Sequence, residues 1–80
     1  MKVDSKDDET ICLRATQYLE MGQAQQAIGD FSLAVKICPD SARAYEGRAN
    51  VYDRLGKSAL AQKDRQQAKL LKAAPAELPI

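Results

Sequence analysis

The sequence contains no histidine and no tryptophan, and its 80 residues include only three tyrosines and one phenylalanine. Without histidine, the chain lacks every triad, general base and metal site that depends on an imidazole. The four glycines are scattered and do not form a phosphate-binding cluster. Ser41 and Ser58 have no histidine partner, and Cys12 has no neighbouring base in the sequence. We therefore predict that the chain is not an enzyme and uses no metal and no cofactor.

Cysteines and long apolar runs are also scarce. The chain has two cysteines, Cys12 and Cys38. Two are too few for a disulfide scaffold or for a four-ligand zinc site. We predict free, partly buried thiols in a reducing compartment. The N-terminus is polar and does not resemble a signal peptide, and no window approaches the roughly 20 apolar residues of a membrane span. The sequence therefore predicts a cytoplasmic protein without a membrane partner.

The chain as a whole has almost no net charge, but its two halves carry net charges of opposite sign. The net charge is +1, yet residues 1–41 carry four basic and seven acidic groups, and residues 42–80 carry eight basic and four acidic groups. Five cations lie on or near the last predicted helix: Lys57, Lys63, Arg65, Lys69 and Lys72. No aromatic residue alternates with them, which argues against a nucleic-acid partner. A charged, solvated helix face is the simpler interpretation.

Four apolar stripes with three- and four-residue spacing predict four helices of roughly 12–15 residues. Alternating strand patterns are absent, so the predicted fold class is all-α, with antiparallel helices joined by short turns. Asp7 or Asp8 is expected to cap the first helix, and Asp40 or Ser41 the third. The expected helix-ending residues are Gly22, Pro39, Gly56 and the pair Ala74–Pro75. Residues 1–7 are expected to form a flexible lead-in and residues 76–80 a tail.

The chain repeats itself with a period of 34 residues. Shifting the sequence by 34 positions gives seven identities. In the first half these are Arg14, Ala15, Tyr18, Gly22, Ala27, Asp30 and Ala34; in the second half they are Arg48, Ala49, Tyr52, Gly56, Ala61, Asp64 and Ala68. Small residues at these spacings let paired helices approach closely, and the glycines allow the reversal between them.

This pattern resembles the tetratricopeptide repeat, in which an aromatic residue, a glycine, two alanines and a closing proline recur in this order. The first repeat covers residues 8–41 and the second residues 42–75, which makes a domain of residues 8–75. The closing proline is displaced in the second repeat, where Pro75 follows Ala73 by two positions. The resemblance implies a right-handed superhelical stack of two helix-turn-helix hairpins, an α-α solenoid.

The resemblance also implies a function, namely a non-catalytic protein–protein interaction module, a scaffold or adaptor. The first helix of each hairpin would line a concave groove for a peptide or helix of a partner protein. Leu13 and Leu19 are the most suggestive side chains because they lie off the packing stripe, and Gly47 suggests a close approach. The predicted groove residues are Cys12, Leu13, Thr16, Leu19, Arg43, Gly47, Asn50 and Arg54. An ordinary solvated helix face remains the alternative for each of them.

One known use of the family can be tested residue by residue. Members that clamp the acidic tails of heat-shock chaperones carry lysine and asparagine where this chain has Cys12, Thr16 and Gly47. The dicarboxylate clamp is therefore not expected. Arg43 and Arg54 still favour an acidic ligand, although by a different geometry.

The outer faces of the two repeats suggest a second hypothesis. Phe31 and Val35 should pack against the following repeat, but Arg65 and Lys69 take their places in the second one. Similarly, Ala44 and Val51 should face the first repeat, where the equivalent positions are Thr10 and Gln17. This suggests a two-repeat array with solvated outer faces; the alternative is that these are tolerated substitutions inside a longer array. The alternative function is a structural or oligomerisation unit that self-associates weakly through these charged faces.

Overall fold

The computed structural model describes the backbone of residues 4–77 and the side chains of residues 8–72. It contains four helices: α1 (Asp4–Glu20), α2 (Ala24–Ile37), α3 (Ala42–Arg54) and α4 (Ser58–Glu77). Each helix packs against the next one along the chain, and α1 also touches α3. The described part of the chain has no strand, and the predicted all-α stack of two hairpins is confirmed.

The two hairpin turns have the same geometry. Gly22 and Gly56 adopt positive φ angles of 79° and 76°, a conformation that costs other residues free energy. In the first turn, the backbone N–H of Gln23 donates to the carbonyl of Tyr18 at 2.8 Å. In the second, the N–H of Lys57 donates to the carbonyl of Tyr52 at the same distance. The prediction that Gly22 and Gly56 end the first helix of each hairpin is therefore confirmed.

The connection between the hairpins ends one helix and begins the next. α2 ends at Ile37, two residues before Pro39. Ser41 is the N-cap of α3, because its Oγ accepts a hydrogen bond from the backbone N–H of Ala44 at 3.3 Å. The sequence predicted either Asp40 or Ser41 as the N-cap of this helix, and the structure shows that it is Ser41.

The predicted start of α1 is wrong. Residues 4–7, expected in the lead-in, belong to the helix, and only residues 1–3 lie outside the described residues. Asp8 is therefore inside the helix and does not cap it. An acidic N-terminal segment favours this extension because carboxylates stabilise the positive end of a helix.

The predicted end of α4 is also wrong. The helix passes Ala74 and Pro75 and ends at Glu77, so that only residues 78–80 of the expected tail lie outside the described part. Proline has a helical φ angle, but beyond the first turn of a helix it removes a backbone hydrogen bond and its ring crowds the carbonyl four residues earlier. The helix continues past Pro75 in spite of this cost.

The core is built mainly from small side chains. Its buried hydrophobic residues in the described part are Cys12, Ala15, Ala27, Phe31, Ala34, Ala44, Ala49, Val51, Ala61 and Ala68. Alanine methyl groups let the helices approach closely, while Phe31 and Val51 fill the larger spaces. Five of the seven repeated identities are accordingly packing or turn residues, and the repeated alanines are buried in both halves of the chain.

The junction between the repeats depends on Phe31. Its side chain comes from α2 and lies against the backbone of Gly47 in α3, in the space that a Cβ would take. Ala44 and Val51 are fully buried, whereas Thr10 and Gln17 are exposed, as predicted. Arg65, at the position equivalent to Phe31, instead donates hydrogen bonds to Asn50 and Asp53 of its own repeat.

Candidate binding groove

Helices α1 and α3 form the walls of an open groove. It has two lobes of about 360 and 500 Å³, which share Thr16 and Asn50. The first lobe is lined by Glu9, Cys12, Leu13, Thr16, Phe31, Arg43, Glu46, Gly47 and Asn50. The second is lined by Thr16, Leu19, Glu20, Asn50, Asp53 and Arg54. Because two lining residues are common to both lobes, the groove is continuous along the helices.

All eight residues predicted from the sequence line this groove. Leu13 is 62% exposed, as expected for a residue off the packing stripe. Leu19 differs from the expectation, because it is half-buried and packs against the core cluster. Whether these side chains bind a partner stays a prediction.

Sequence reasoning missed Phe31, which lines the first lobe although it belongs to α2. The sequence predicted that another group approaches Gly47 closely, and the structure shows that this group is the Phe31 ring of the same chain. The sequence shows an aromatic residue in one predicted helix and a glycine inside the next. That the two residues meet depends on how the hairpins dock, which the sequence pattern does not specify.

Cys12 forms part of the groove floor, where it is only 3% exposed. Its thiol donates to the Asp8 Oδ1 at 3.7 Å, and the Asp8 Oδ2 accepts from the Ser41 hydroxyl at 2.9 Å. Burial, together with the charge and hydrogen bond of Asp8, raises the pKa of the Cys12 thiol from 9.0 to about 12. Cys12 is therefore held as a neutral thiol.

We expect Cys12 to resist alkylation in the folded chain. The thiolate is the reactive form, and the raised pKa lowers its population at pH 8 by at least about a hundredfold. In a Cys38→Ser variant, labelling by iodoacetamide should be slower than in urea by at least about this factor. Mass spectrometry of timed samples measures both rates. Comparable rates in the folded and unfolded chains would contradict the protected thiol.

The same shift predicts how stability depends on pH. Between pH 9 and about pH 12 the folded chain keeps the thiol proton that the unfolded chain has lost. The stabilisation linked to this proton is thus present below pH 9 and is lost as the pH rises toward 12.

Several polar groups of the groove are already engaged by α4. Lys72 donates to Glu46, and Arg65 donates to Asp53 and to the side-chain oxygen of Asn50. In the described part of the chain, no ion pair involves Glu9, Glu20, Arg43 or Arg54. The charges that the groove can offer a ligand are therefore two acids on α1 and two bases on α3.

Other kinds of site find no support among the described residues. No group of three histidine, cysteine, aspartate or glutamate side chains is arranged there to hold a metal ion. The described helices include none with the length and apolarity that crossing a membrane requires.

Comparison with known proteins identifies the repeat. A family model described as TPR repeat matches residues 15–56, which run from the end of α1 through α2 and α3 to the turn before α4. No curated protein and no solved structure matches the chain. Tetratricopeptide repeats generally act as non-catalytic modules that mediate protein–protein interactions. The matched segment covers more than half of the chain and contains the repeated turn glycines, so the chain belongs to the tetratricopeptide-repeat family.

Proposed function

We propose that the chain is an interaction domain that holds a peptide or helix of a partner protein in the groove between α1 and α3. The observation that carries this proposal is Leu13, a large apolar side chain that is 62% exposed on the wall of the first lobe. An exposed leucine in a concave surface can bury apolar area against a ligand. Arg43 and Asn50 beside it supply polar groups for orientation.

The groove charges refine the expected ligand. Arg43 and Arg54 favour acidic groups, but Glu9 and Glu20 on the opposite wall favour basic ones. A ligand that carries both signs, with an apolar side chain toward Leu13, suits the groove better than a uniformly acidic tail. The side-chain oxygen of Asn50 is engaged by Arg65, so its amide N–H groups are the ones available to a ligand's carbonyl oxygens.

Self-association through the charged outer faces receives less support. Arg65 and Lys72 on α4 are paired with Asp53 and Glu46 of the same chain. Cations that are already compensated within the molecule gain less from a second acidic surface. We therefore favour the groove over the outer faces.

Panning a phage-displayed random-peptide library on the purified chain tests this proposal. Peptides enriched on the wild type should lose at least about tenfold in affinity for a Leu13→Asp variant, since the apolar contact is replaced by a charge. Leu70→Asp is the matched control, because Leu70 is 61% exposed and lines neither lobe. Isothermal titration gives the affinities, and circular dichroism checks that both variants are folded.

Either of two results would overturn the groove assignment. One is equal loss of affinity in both variants, which would indicate non-specific apolar binding. The other is enriched peptides that bind Leu13→Asp as tightly as they bind the wild type.

A further inference from the structure

The two walls of the groove carry opposite charges at equivalent repeat positions. Shifting Glu9 and Glu20 by the 34-residue period gives Arg43 and Arg54. Because α1 and α3 are each antiparallel to α2, they run in the same direction. Each acid on α1 therefore lies at the same height along the groove as its basic counterpart on α3.

These four charges remain available, while the other groove acids are compensated. Among the described side chains, none forms an ion pair with Glu9, Glu20, Arg43 or Arg54. Glu46 and Asp53 are paired with cations of α4. The groove thus has an acidic edge along α1 and a basic edge along α3, which makes it complementary to itself.

We propose that the groove binds a second copy of this chain, face to face, about a two-fold axis parallel to α1 and α3. The proposal rests on the proposed function, because it takes the groove as a protein-binding surface and names its occupant. The axis places α1 of one copy over α3 of the other with the same direction. Glu9 then opposes Arg43 of the second copy, Glu20 opposes Arg54 of the second copy, and the symmetry repeats both pairs.

The apolar groups of the two faces are complementary under the same symmetry. Leu13 is equivalent to Gly47 in the 34-residue repeat, so the axis places the exposed leucine of one copy over the glycine of the other. Gly47 has no side chain, and the largely buried ring of Phe31, which also lines the first lobe, occupies the space that its Cβ would take. The leucine of one copy thus meets a position from which no side chain projects, twice in the dimer.

The charge pattern selects this arrangement over the other face-to-face orientation. A two-fold axis in the plane of the face but perpendicular to the helices would instead place Glu9 over Glu20 of the second copy. Like charges in contact disfavour that orientation.

Sedimentation equilibrium with a pair of charge-reversal variants tests the proposal. Glu9→Arg with Glu20→Arg makes the four groove charges all positive, and Arg43→Glu with Arg54→Glu makes them all negative. At about 100 µM and low salt, the wild type should approach twice its monomer mass of 8.8 kDa. Each variant alone should stay monomeric, and their equimolar mixture should regain the doubled mass. Raising the salt to about 0.5 M should lower the wild-type mass.

A control variant with Lys57→Glu and Lys63→Glu reverses two charges that line neither lobe, and it should behave as the wild type. Circular dichroism verifies helicity throughout, and the single variants Glu20→Arg and Arg54→Glu replace a double variant that fails to fold. A wild type that stays monomeric at about 100 µM in low salt overturns the proposal. Dimerisation of both reversal variants on their own also overturns it.

Failure of this proposal can be told apart from failure of the proposed function. A monomeric wild type that still selects Leu13-dependent peptides removes the second copy and leaves the groove as a binding site for another protein. A wild type that neither dimerises nor selects such peptides removes both.

Discussion

Replacing Gly47 with alanine should destabilise the fold by about 1–3 kcal/mol, although alanine normally stabilises a helix interior relative to glycine. A Cβ on Gly47 would lie 2.8 Å from the Phe31 Cδ1 and closer still to two other ring carbons. Phe31 is only 3% exposed, so its ring has little room to move away. Urea denaturation followed by circular dichroism measures the change in the free energy of unfolding.

Gly29→Ala is the matched control for this substitution. Gly29 lies inside α2, and a Cβ there would meet nothing within 4 Å. Alanine should therefore stabilise the fold at this position by about 0.4–1 kcal/mol. Adding Phe31→Leu to Gly47→Ala should recover part of the loss, since the smaller side chain vacates space. Stabilisation by Gly47→Ala of the same size as by Gly29→Ala would contradict the contact with Phe31.

Arg48→Met is the second substitution with a large expected effect, a loss of about 2–3 kcal/mol in the free energy of unfolding. Arg48 donates from Nε and Nη2 to both carboxylate oxygens of Asp64 at 2.8 and 3.0 Å, and from Nη1 to the Ser32 hydroxyl at 3.1 Å. Its guanidinium also lies 5.7 Å from the centre of the Tyr45 ring. Methionine would leave the carboxylate of Asp64, whose side chain is 9% exposed, without its partner.

The repeat supplies the control, because Arg14 and Asp30 form the same two-pronged pair at 2.8 and 3.0 Å. The Arg14 side chain is 57% exposed, against 20% for Arg48. The Asp30 side chain is 13% exposed, so that the pair is partly open to solvent. Arg14→Met should therefore lower the urea midpoint by less than Arg48→Met does, since an ion pair that water reaches stabilises less than a buried one. Equal shifts of the midpoint in the two variants would show that burial does not distinguish the pairs. The double variant Arg48→Met with Asp64→Leu should regain much of the loss because no buried charge remains.

The parts of the fold that the sequence predicted correctly are those fixed by local chemistry. Gly22 and Gly56 supply the left-handed turns, and Ser41 is a cap by virtue of its hydroxyl. The period of 34 residues then predicted the pairing of helices, because equal residues at equal spacings make equal contacts. The groove residues followed from the helices that carry them.

The errors concern helix ends and contacts between the repeats. Asp8 has the chemistry of a cap, but its carboxylate accepts hydrogen bonds from Cys12 of the same helix and from Ser41 at the start of α3. Pro75 was predicted to end α4, but the helix continues to Glu77 in spite of the backbone hydrogen bond that proline removes. The contact of Phe31 with Gly47 depends on how two hairpins dock. Local pattern does not specify that geometry, and so Leu19 was also expected to be more exposed than it is.

The alanine-rich core has a consequence for how stability responds to temperature. Seven of the ten buried hydrophobic residues among the described side chains are alanines. Burying alanine costs almost no rotamer entropy, and unfolding it hydrates little apolar area per residue. Since apolar hydration is the main source of the heat-capacity increment of unfolding, this increment should be small for the chain length. The free energy of unfolding therefore follows a broad, shallow curve, with cold denaturation displaced to lower temperatures.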